Sequence, residues 1–182
     1  DPPAHAGGTD LIGDASGETK MDLGLKGKVA LVAAASRGLG RAVAAELATQ
    51  GASLVLCSRN AEAINRTANE ITQATGADVL AIPADVSKSE DVGRLVQSGI
   101  DRFGRIDILV TNAGGPPAGQ FESLSSEAWE AATHLTLYSA IELARRVLPG
   151  MKERRWGRIL NITSIAVKQP VENLHVSIKL RK

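Results

Sequence analysis

The sequence predicts an α/β fold, a doubly wound parallel sheet in three α/β/α layers, and three observations lead to it. Five short apolar runs recur along the chain, segments with helical periodicity separate them, and glycines stand where several of these segments would end. Each run is apolar almost throughout, which is typical of parallel strands covered by helices on both faces. Alternation of strands and helices gives right-handed crossovers, and therefore a doubly wound sheet.

The predicted strands are residues 29–33, 53–58, 78–83, 106–111 and 158–163. Ser87 and Glu90 follow the third strand in the spacing of a capping box, which predicts that a helix begins there. The helix before the fifth strand carries an apolar stripe of Leu137, Ile141, Ala144 and Leu148. Three glycines are expected to end helices: Gly51, Gly76 and Gly104.

Composition narrows the class of protein. With 182 residues, 43% of them hydrophobic, and a net charge of +1, the chain can build one well-packed domain and lacks the basic surface of a nucleic-acid or acidic-membrane binder. Cys57 is the only cysteine, which excludes an intrachain disulfide and favours a reducing, cytoplasmic location. The histidines lack the spacing of metal ligands, so no metal is expected.

The two ends of the chain differ from its centre. Residues 1–20 are rich in Gly, Asp, Ala and Thr and show little periodicity, so we expect a disordered extension or a segment added for expression, with Met21 as the natural start. Residues 21–182 are expected to form one domain that is truncated after its fifth strand. That strand would have an open outer edge, which favours either a partner subunit that covers it or a fragment of a longer domain.

The stretch AAASRGLG, residues 33–40, lies between the first predicted strand and a helical segment, as a phosphate-binding loop would. The backbone of such a loop passes close to a diphosphate, which the N–H groups that open the helix, near Leu39, would bind. Gly38 and Gly40 suit that approach, although they would also serve simple helix–strand packing. Ala34 stands where the first glycine is usual.

Ala34 raises the question of strain. A left-handed conformation at this alanine would cost about 1–2 kcal/mol. That cost would weaken nucleotide binding roughly tenfold to thirtyfold. We therefore expect retained but weakened binding, which Ala34→Gly would tighten; if the dihedral angles of Ala34 are ordinary, only crowding by one methyl group remains.

The second predicted strand ends without an acidic residue. A site that prefers NAD usually offers a carboxylate to the ribose hydroxyls at this position, whereas this chain has Ser58 and Arg59. A guanidinium would pair with a 2′-phosphate, and Arg37 in the loop would assist it. The residues therefore favour NADP(H) as the cofactor, with an ordinary exposed arginine as the alternative for Arg59.

Four motifs in order give the chain, from about Leu23 to its end, a resemblance to the short-chain dehydrogenase/reductase family, whose domain has a Rossmann-type fold. ALVAAASRGLG resembles the family's cofactor loop, ADV at 84–86 its adenine-contacting turn, LVTNAGG its fourth-strand motif, and GRILNITS its fifth strand. The segment GGPPAGQFESLSSEAW is similar to members described as 3-oxoacyl-[acyl-carrier-protein] reductase-like. The resemblance implies these cofactor-binding residues: Ala34, Ser36, Arg37, Gly38, Leu39, Gly40, Ser58, Arg59, Asp85, Val86, Asn112, Ala113 and Gly114.

The resemblance also implies hydride transfer between a nicotinamide and a carbonyl or secondary alcohol, with Ser164 as the serine that orients the carbonyl. The family's tyrosine position, thirteen residues on, is Ser177, and its lysine position is Arg181. The family's asparagine in the long helix is replaced by Thr136. An aliphatic hydroxyl is a far poorer proton donor than a phenol, and an arginine stays charged, so a water molecule or His175 would have to supply the proton.

Two functions stay open at this point. One is an NADP(H)-dependent reductase of a small carbonyl compound, with a 3-oxoacyl thioester as one candidate substrate. The other is a dinucleotide-binding protein without turnover that senses the cofactor or assembles with partners. The resemblance further implies a homodimer or homotetramer that assembles through the long helix containing Leu137 and Ile141.

Overall fold

Five parallel strands form the central sheet of the computed structural model, which describes residues 11–13, 19–115 and 121–164. The strands are β3 (Val29–Val32), β4 (Ser53–Ser58), β5 (Val79–Pro83), β6 (Ile108–Thr111) and β7 (Arg158–Asn161), in the order β5-β4-β3-β6-β7. All five predicted strands are confirmed, and their bounds differ from the predicted ones by no more than two residues. In the range 11–21, β1 (Leu11–Gly13) pairs antiparallel with β2 (Thr19–Met21) outside this sheet.

The helices are α1 (Gly38–Thr49), α2 (Ala61–Thr75), α3 (Ser89–Phe103), α4 (Ser126–Thr133) and α5 (Ser139–Glu153). A 3₁₀ turn, Phe121–Ser123, precedes α4, and a π-helical turn, His134–Tyr138, joins α4 to α5. Gly76 and Gly104 end α2 and α3 in the left-handed conformation, with φ of 71° and 72°, as their positions in the sequence predicted.

Two apolar clusters, one on each face of the sheet, hold the layers together. Successive residues of β3 point to opposite faces, so Leu31 packs with α3 and α5, while Val32 packs with α1 and α2. Both side chains are fully buried. This arrangement confirms the predicted three-layer, doubly wound fold.

Three details differ from the sequence prediction. Among the described residues all four positions of β7 are exposed, whereas the sequence predicted a strand covered on both faces; its place as the outermost strand agrees with the predicted open edge. The buried row of α5 is Ser139, Leu143, Val147 and Met151, while Leu137, Ile141 and Leu148 of the predicted stripe are exposed. The helix α3 begins at Ser89, and the Ser87 hydroxyl donates to Asp85 Oδ1 at 2.8 Å instead of capping the helix.

A fully buried carboxylate joins the elements at the amino ends of the strands. Asp107 accepts a hydrogen bond from the Val29 N–H at 3.1 Å and forms an ion pair with Arg105 at 2.7 Å. Arg154, just beyond α5, lies 3.5 Å from the same carboxylate and donates to the Ile106 carbonyl. This cluster fixes β3, β6 and the end of α5 at the end of the sheet opposite the loops described next.

No helix in the described ranges is long and apolar enough to cross a membrane.

Candidate nucleotide-binding site

The loops that leave β3, β4, β5 and β6 surround a cleft of about 670 Å³ at the carboxyl ends of the strands. This is the end where nucleotides bind in doubly wound sheets. Twelve of the thirteen residues predicted to bind the cofactor line the cleft, and Gly40 lies beneath it. The structure therefore brings together the residues that the sequence singled out, while their role as nucleotide contacts stays a prediction.

Ala34 takes the left-handed conformation, with φ of 50°. The loop is anchored on both sides of this residue, because the Ala33 N–H donates to the Val110 carbonyl at 3.1 Å and the Ala35 N–H donates to the Cys57 carbonyl at 2.9 Å. The Ala34 carbonyl in turn accepts a hydrogen bond from Asn112 Nδ2 at 3.3 Å. Ala34 therefore has the left-handed conformation for which the sequence analysis expects backbone strain.

Gly38 and Gly40 are required for different structural reasons. Gly38 has φ of 59°, which favours glycine at that position even though a Cβ atom there would contact nothing. Gly40 is buried, and a Cβ atom on it would lie 2.5 Å from the Ala34 carbonyl oxygen and 2.8 Å from Asn112 Nδ2. Gly40 therefore allows α1 to approach the loop closely enough to form the floor of the cleft.

The amino end of α1 points into the cleft and is available to an anion. Its N-cap residue, Arg37, makes no side-chain capping bond, and the first turn of the helix contains no acidic residue. The helix dipole and the first N–H groups favour a negative charge at such an end. Leu39 in this turn is 65% exposed and lines the cleft.

Ser58 and Arg59 follow β4 and lie at one end of the cleft. Ser58 is buried, and its hydroxyl donates to the Asn60 carbonyl at 3.0 Å. Asn60 caps α2 by accepting from the Ala63 N–H at 2.8 Å. Arg59 is exposed, and it forms no ion pair with any residue in the described part of the chain.

The turn at Asp85 and Val86 is held from behind by α3. The Asp85 N–H donates to the Asp91 carboxylate at 2.8 Å, and Arg94 donates to the same carboxylate at 2.7 Å. The Asp85 N–H, and to a smaller extent Arg94, lower the pKa of Asp91 below its ordinary value of 3.8. The ionised Asp91 carboxylate therefore holds the turn through the Asp85 N–H.

The positions matched to the family's catalytic residues are described only in part. Ser164 is exposed just beyond the carboxyl end of β7, at the end of the sheet where the cleft lies. Thr136 lies in the π-helical turn, and its hydroxyl donates to the Ala132 carbonyl of its own helix at 2.7 Å. Ser177 and Arg181, with His175, lie outside the described residues.

The cleft also has lining residues that sequence reasoning did not assign to the site. They are Asn60, Ala63, Arg66, Ala84 and Leu135. Ala84 belongs to the quoted ADV motif, and Leu135 lies in the π-helical turn. Asn60, Ala63 and Arg66 come three residues apart, which identifies one side of α2 once the helix is known, but no motif marks that side as facing a ligand.

Cys57 lies in the core directly behind the loop. Burial raises the pKa of its thiol to about 11, an effect that the backbone N–H of Ala34 partly offsets. The thiol is therefore protonated at neutral pH and chemically quiet.

This sheet, with its cleft between the strand ends and the start of α1, defines the Rossmann-type nucleotide-binding fold. The family model described as short chain dehydrogenase matches residues 28–176. The chain belongs to the short-chain dehydrogenase family, as the resemblance predicted.

Among the curated relatives, the chain is 40% identical over 147 residues to the ketoacyl reductase HetN of Nostoc sp., a match that covers 81% of this chain and 51% of that protein. L-sorbose reductase from Gluconobacter frateurii, solved with NADPH and L-sorbose, is 34% identical with a TM-score of 0.85, over 88% of this chain and 61% of that one. A 7α-hydroxysteroid dehydrogenase solved with NADH is 32% identical with a TM-score of 0.81, over 86% and 61%. The chain thus spans between one half and two thirds of the length of these relatives.

Proposed function

We propose that the chain carries the cofactor-binding part of an NADP(H)-dependent reductase that converts a carbonyl compound into a secondary alcohol. A 3-oxoacyl thioester is the first substrate to test, because the ketoacyl reductase HetN is a relative. The observation that carries the proposal is the cleft itself, where the open amino end of α1 lies beside Arg37 and Arg59 and no carboxylate follows β4.

The cleft residues fit a dinucleotide diphosphate in two respects. Gly40 leaves no side chain between α1 and the loop, and the first residues of α1, Gly38 and Leu39, line the cleft, where helix N–H groups favour a phosphate. Arg37 and Arg59, which have no ion pairs in the described ranges, can neutralise a 2′-phosphate by charge-assisted hydrogen bonds. An acid at the position of Arg59 would instead repel that phosphate.

Ser164 is the residue that we propose to orient the substrate carbonyl by donating a hydrogen bond to its oxygen. Ser164 follows the carboxyl end of β7, and Asn112, Ala113 and Gly114 follow the carboxyl end of the neighbouring strand β6. A bound NADPH would supply the hydride. Ser177 and Arg181 stand at the positions of the proton donor and its neighbouring lysine, and we propose that the proton comes from water or His175 instead.

The first experiment is a fluorescence titration of the chain with NADPH and NADH, followed by a steady-state assay of NADPH oxidation against 3-oxoacyl thioesters and simple ketones. We expect tighter binding of NADPH than of NADH, and turnover that Ser164→Ala reduces. Equal binding of both nucleotides would contradict the NADP(H) assignment. NADPH binding without any turnover would favour the second function below.

The second function is a dinucleotide-binding protein without catalysis, acting as a cofactor sensor or an assembly partner. One observation favours it: the Thr136 hydroxyl donates its only proton to the Ala132 carbonyl, so that proton is not available to a substrate or a water chain. The double variant Ser177→Tyr with Arg181→Lys separates the two functions. Activity that arises only in the double variant supports the second, and activity already present in the wild type supports the first.

Assembly through α5 is part of the proposal. Four large apolar side chains are exposed by 37–49%: Leu137 and Tyr138 in the π-helical turn, and Ile141 and Leu148 in α5. A face of this kind favours burial against another chain. Ile141→Asp is expected to give monomers or aggregates in analytical sedimentation, and an unchanged sedimentation coefficient would exclude α5 from the interface.

A further inference from the structure

Three arginines line one cleft from three separate elements. Arg37 belongs to the loop before α1, Arg59 follows β4, and Arg66 lies in the second turn of α2. None of the three forms an ion pair within the described residues. Six other arginines of the same ranges do, namely Arg41, Arg94, Arg102, Arg105, Arg146 and Arg154, while Arg145, Arg155 and Arg158, which do not line the cleft, form none. Uncompensated like charges around one cavity repel one another unless a ligand supplies the opposite charge.

A buried hydrogen bond joins α2 to the loop beside two of these arginines. The Thr67 hydroxyl donates to the Ser36 carbonyl at 3.2 Å, and Thr67 is 2% exposed. Thr67 is the neighbour of Arg66 on α2, and Ser36 is the neighbour of Arg37 in the loop. The bond therefore holds α2 against the loop, and Arg66 and Arg37 line the same cleft.

Two glutamates of α2 stand four residues from Arg66, the spacing at which a helix can form an ion pair. Glu70 is taken by Arg41 of α1, with 2.7 Å between the charged atoms. Glu62 is exposed in the first turn and makes no ion pair with Arg66. Since the Arg41–Glu70 pair occupies the carboxylate on the far side, the positive charge of Arg66 stays available to a ligand in the cleft.

We infer that Arg66 is a specificity-determining residue for the 2′-phosphate of NADP(H), a step that rests on the proposed function. A phosphate monoester is close to a dianion at neutral pH and offers three acceptor oxygens, enough for donors from three arginines. NADH has only a ribose hydroxyl at this position and gives the three cations nothing to neutralise them. Arg66 adds a third guanidinium, from α2, to those of Arg37 and Arg59.

The test compares Arg66→Ala with Arg155→Ala in the full 182-residue chain. Arg155 is exposed beyond the end of α5 and does not line the cleft, so its removal changes the net charge equally without touching the site. The dissociation constants of NADPH, NADH and 2′,5′-ADP are measured by fluorescence titration or calorimetry. Arg66→Ala is expected to weaken NADPH and 2′,5′-ADP by about tenfold or more, the loss of one charge-assisted bond, and NADH by less than about twofold.

A second variant, Arg66→Lys, separates the role of charge from that of geometry. The lysine variant keeps the charge but not the forked geometry, so it should recover part of the lost affinity for 2′,5′-ADP. An Arg66→Ala variant that binds NADPH as the wild type does, or that loses NADPH and NADH equally, overturns the inference while leaving the proposed function intact. A wild-type chain that binds neither nucleotide removes the proposed function, and this inference with it.

Discussion

Replacing Ala34 by glycine should relieve strain in the folded cofactor loop. Ala34 has φ of 50°, and its backbone is fixed by hydrogen bonds of the neighbouring residues to Val110 and Cys57, so the residue cannot relax to an ordinary conformation without disrupting them. The left-handed conformation costs an alanine about 1–2 kcal/mol. A glycine loses about 0.5–1 kcal/mol more conformational entropy on folding. The net gain in the free energy of unfolding is therefore about 0.5–1 kcal/mol.

For a chain of this size, that gain corresponds to a rise in Tm of about 1–4 °C. Thermal unfolding followed by circular dichroism measures it. Ala42→Gly is the matched control, because Ala42 is exposed in α1 and glycine there should lower stability by about 1 kcal/mol. Where strain arises only when a nucleotide binds, its relief in Ala34→Gly will tighten NADPH binding instead of raising stability. The gain in the free energy of unfolding and the gain in the free energy of binding should together not exceed about 1–2 kcal/mol. An Ala34→Gly variant that is less stable and binds no tighter would refute the reasoning.

Three further variants probe the loop, the opposite end of the sheet and the adenine turn. Gly40→Ala should cost about 1–3 kcal/mol of stability in urea unfolding and lower NADPH affinity, because its Cβ atom would lie 2.5 Å from the Ala34 carbonyl oxygen; wild-type stability would contradict the close approach. Asp107→Asn should cost about 2–3 kcal/mol, less than a wholly buried pair because Arg105 is 35% exposed, and should leave NADPH affinity unchanged. The lowered pKa of Asp91 means that its carboxylate stabilises the fold above the ordinary value of 3.8 and loses that effect as pH falls through the lower folded-state value. The stability difference between wild type and Asp91→Asn should therefore shrink at acid pH, and a difference that does not change with pH would exclude this cause.

The sheet could be predicted from the sequence because its strands are buried on both faces. The run from Leu54 to Cys57 is apolar on both sides. It can therefore be predicted as a strand without knowing which helix covers which of its faces. The loop could be predicted for a similar reason, since Gly38 and Gly40 sit between a strand and a helix whatever the packing of the rest. The family resemblance then supplied the positions on neighbouring loops.

The helix faces could not be predicted in the same way. The sequence of α5 has two apolar rows, one through Leu143 and Val147 and one through Ile141 and Leu148, and both have helical spacing. Only the packed structure shows that the first row meets the sheet. Ser87 matched the spacing of a helix cap, yet the nearer Asp85 carboxylate takes its hydroxyl.

Arg66 was missed for the same kind of reason as the α5 faces. Its neighbours in sequence are ordinary helix residues, and its place in the cleft follows from the packing of α2 against the loop, where the Thr67–Ser36 hydrogen bond joins residues 31 positions apart. Contacts between distant segments leave no local pattern for a single sequence to reveal.

The position of Cys57 has a practical consequence. It is the only thiol in the sequence, it is fully buried behind Ala34, and its pKa of about 11 leaves almost no thiolate at neutral pH. An alkylating reagent can therefore modify it only in molecules whose loop has locally opened. The labelling rate would report how often this one region opens, and slower labelling in the presence of a nucleotide would measure occupancy without any fluorescent group or engineered probe.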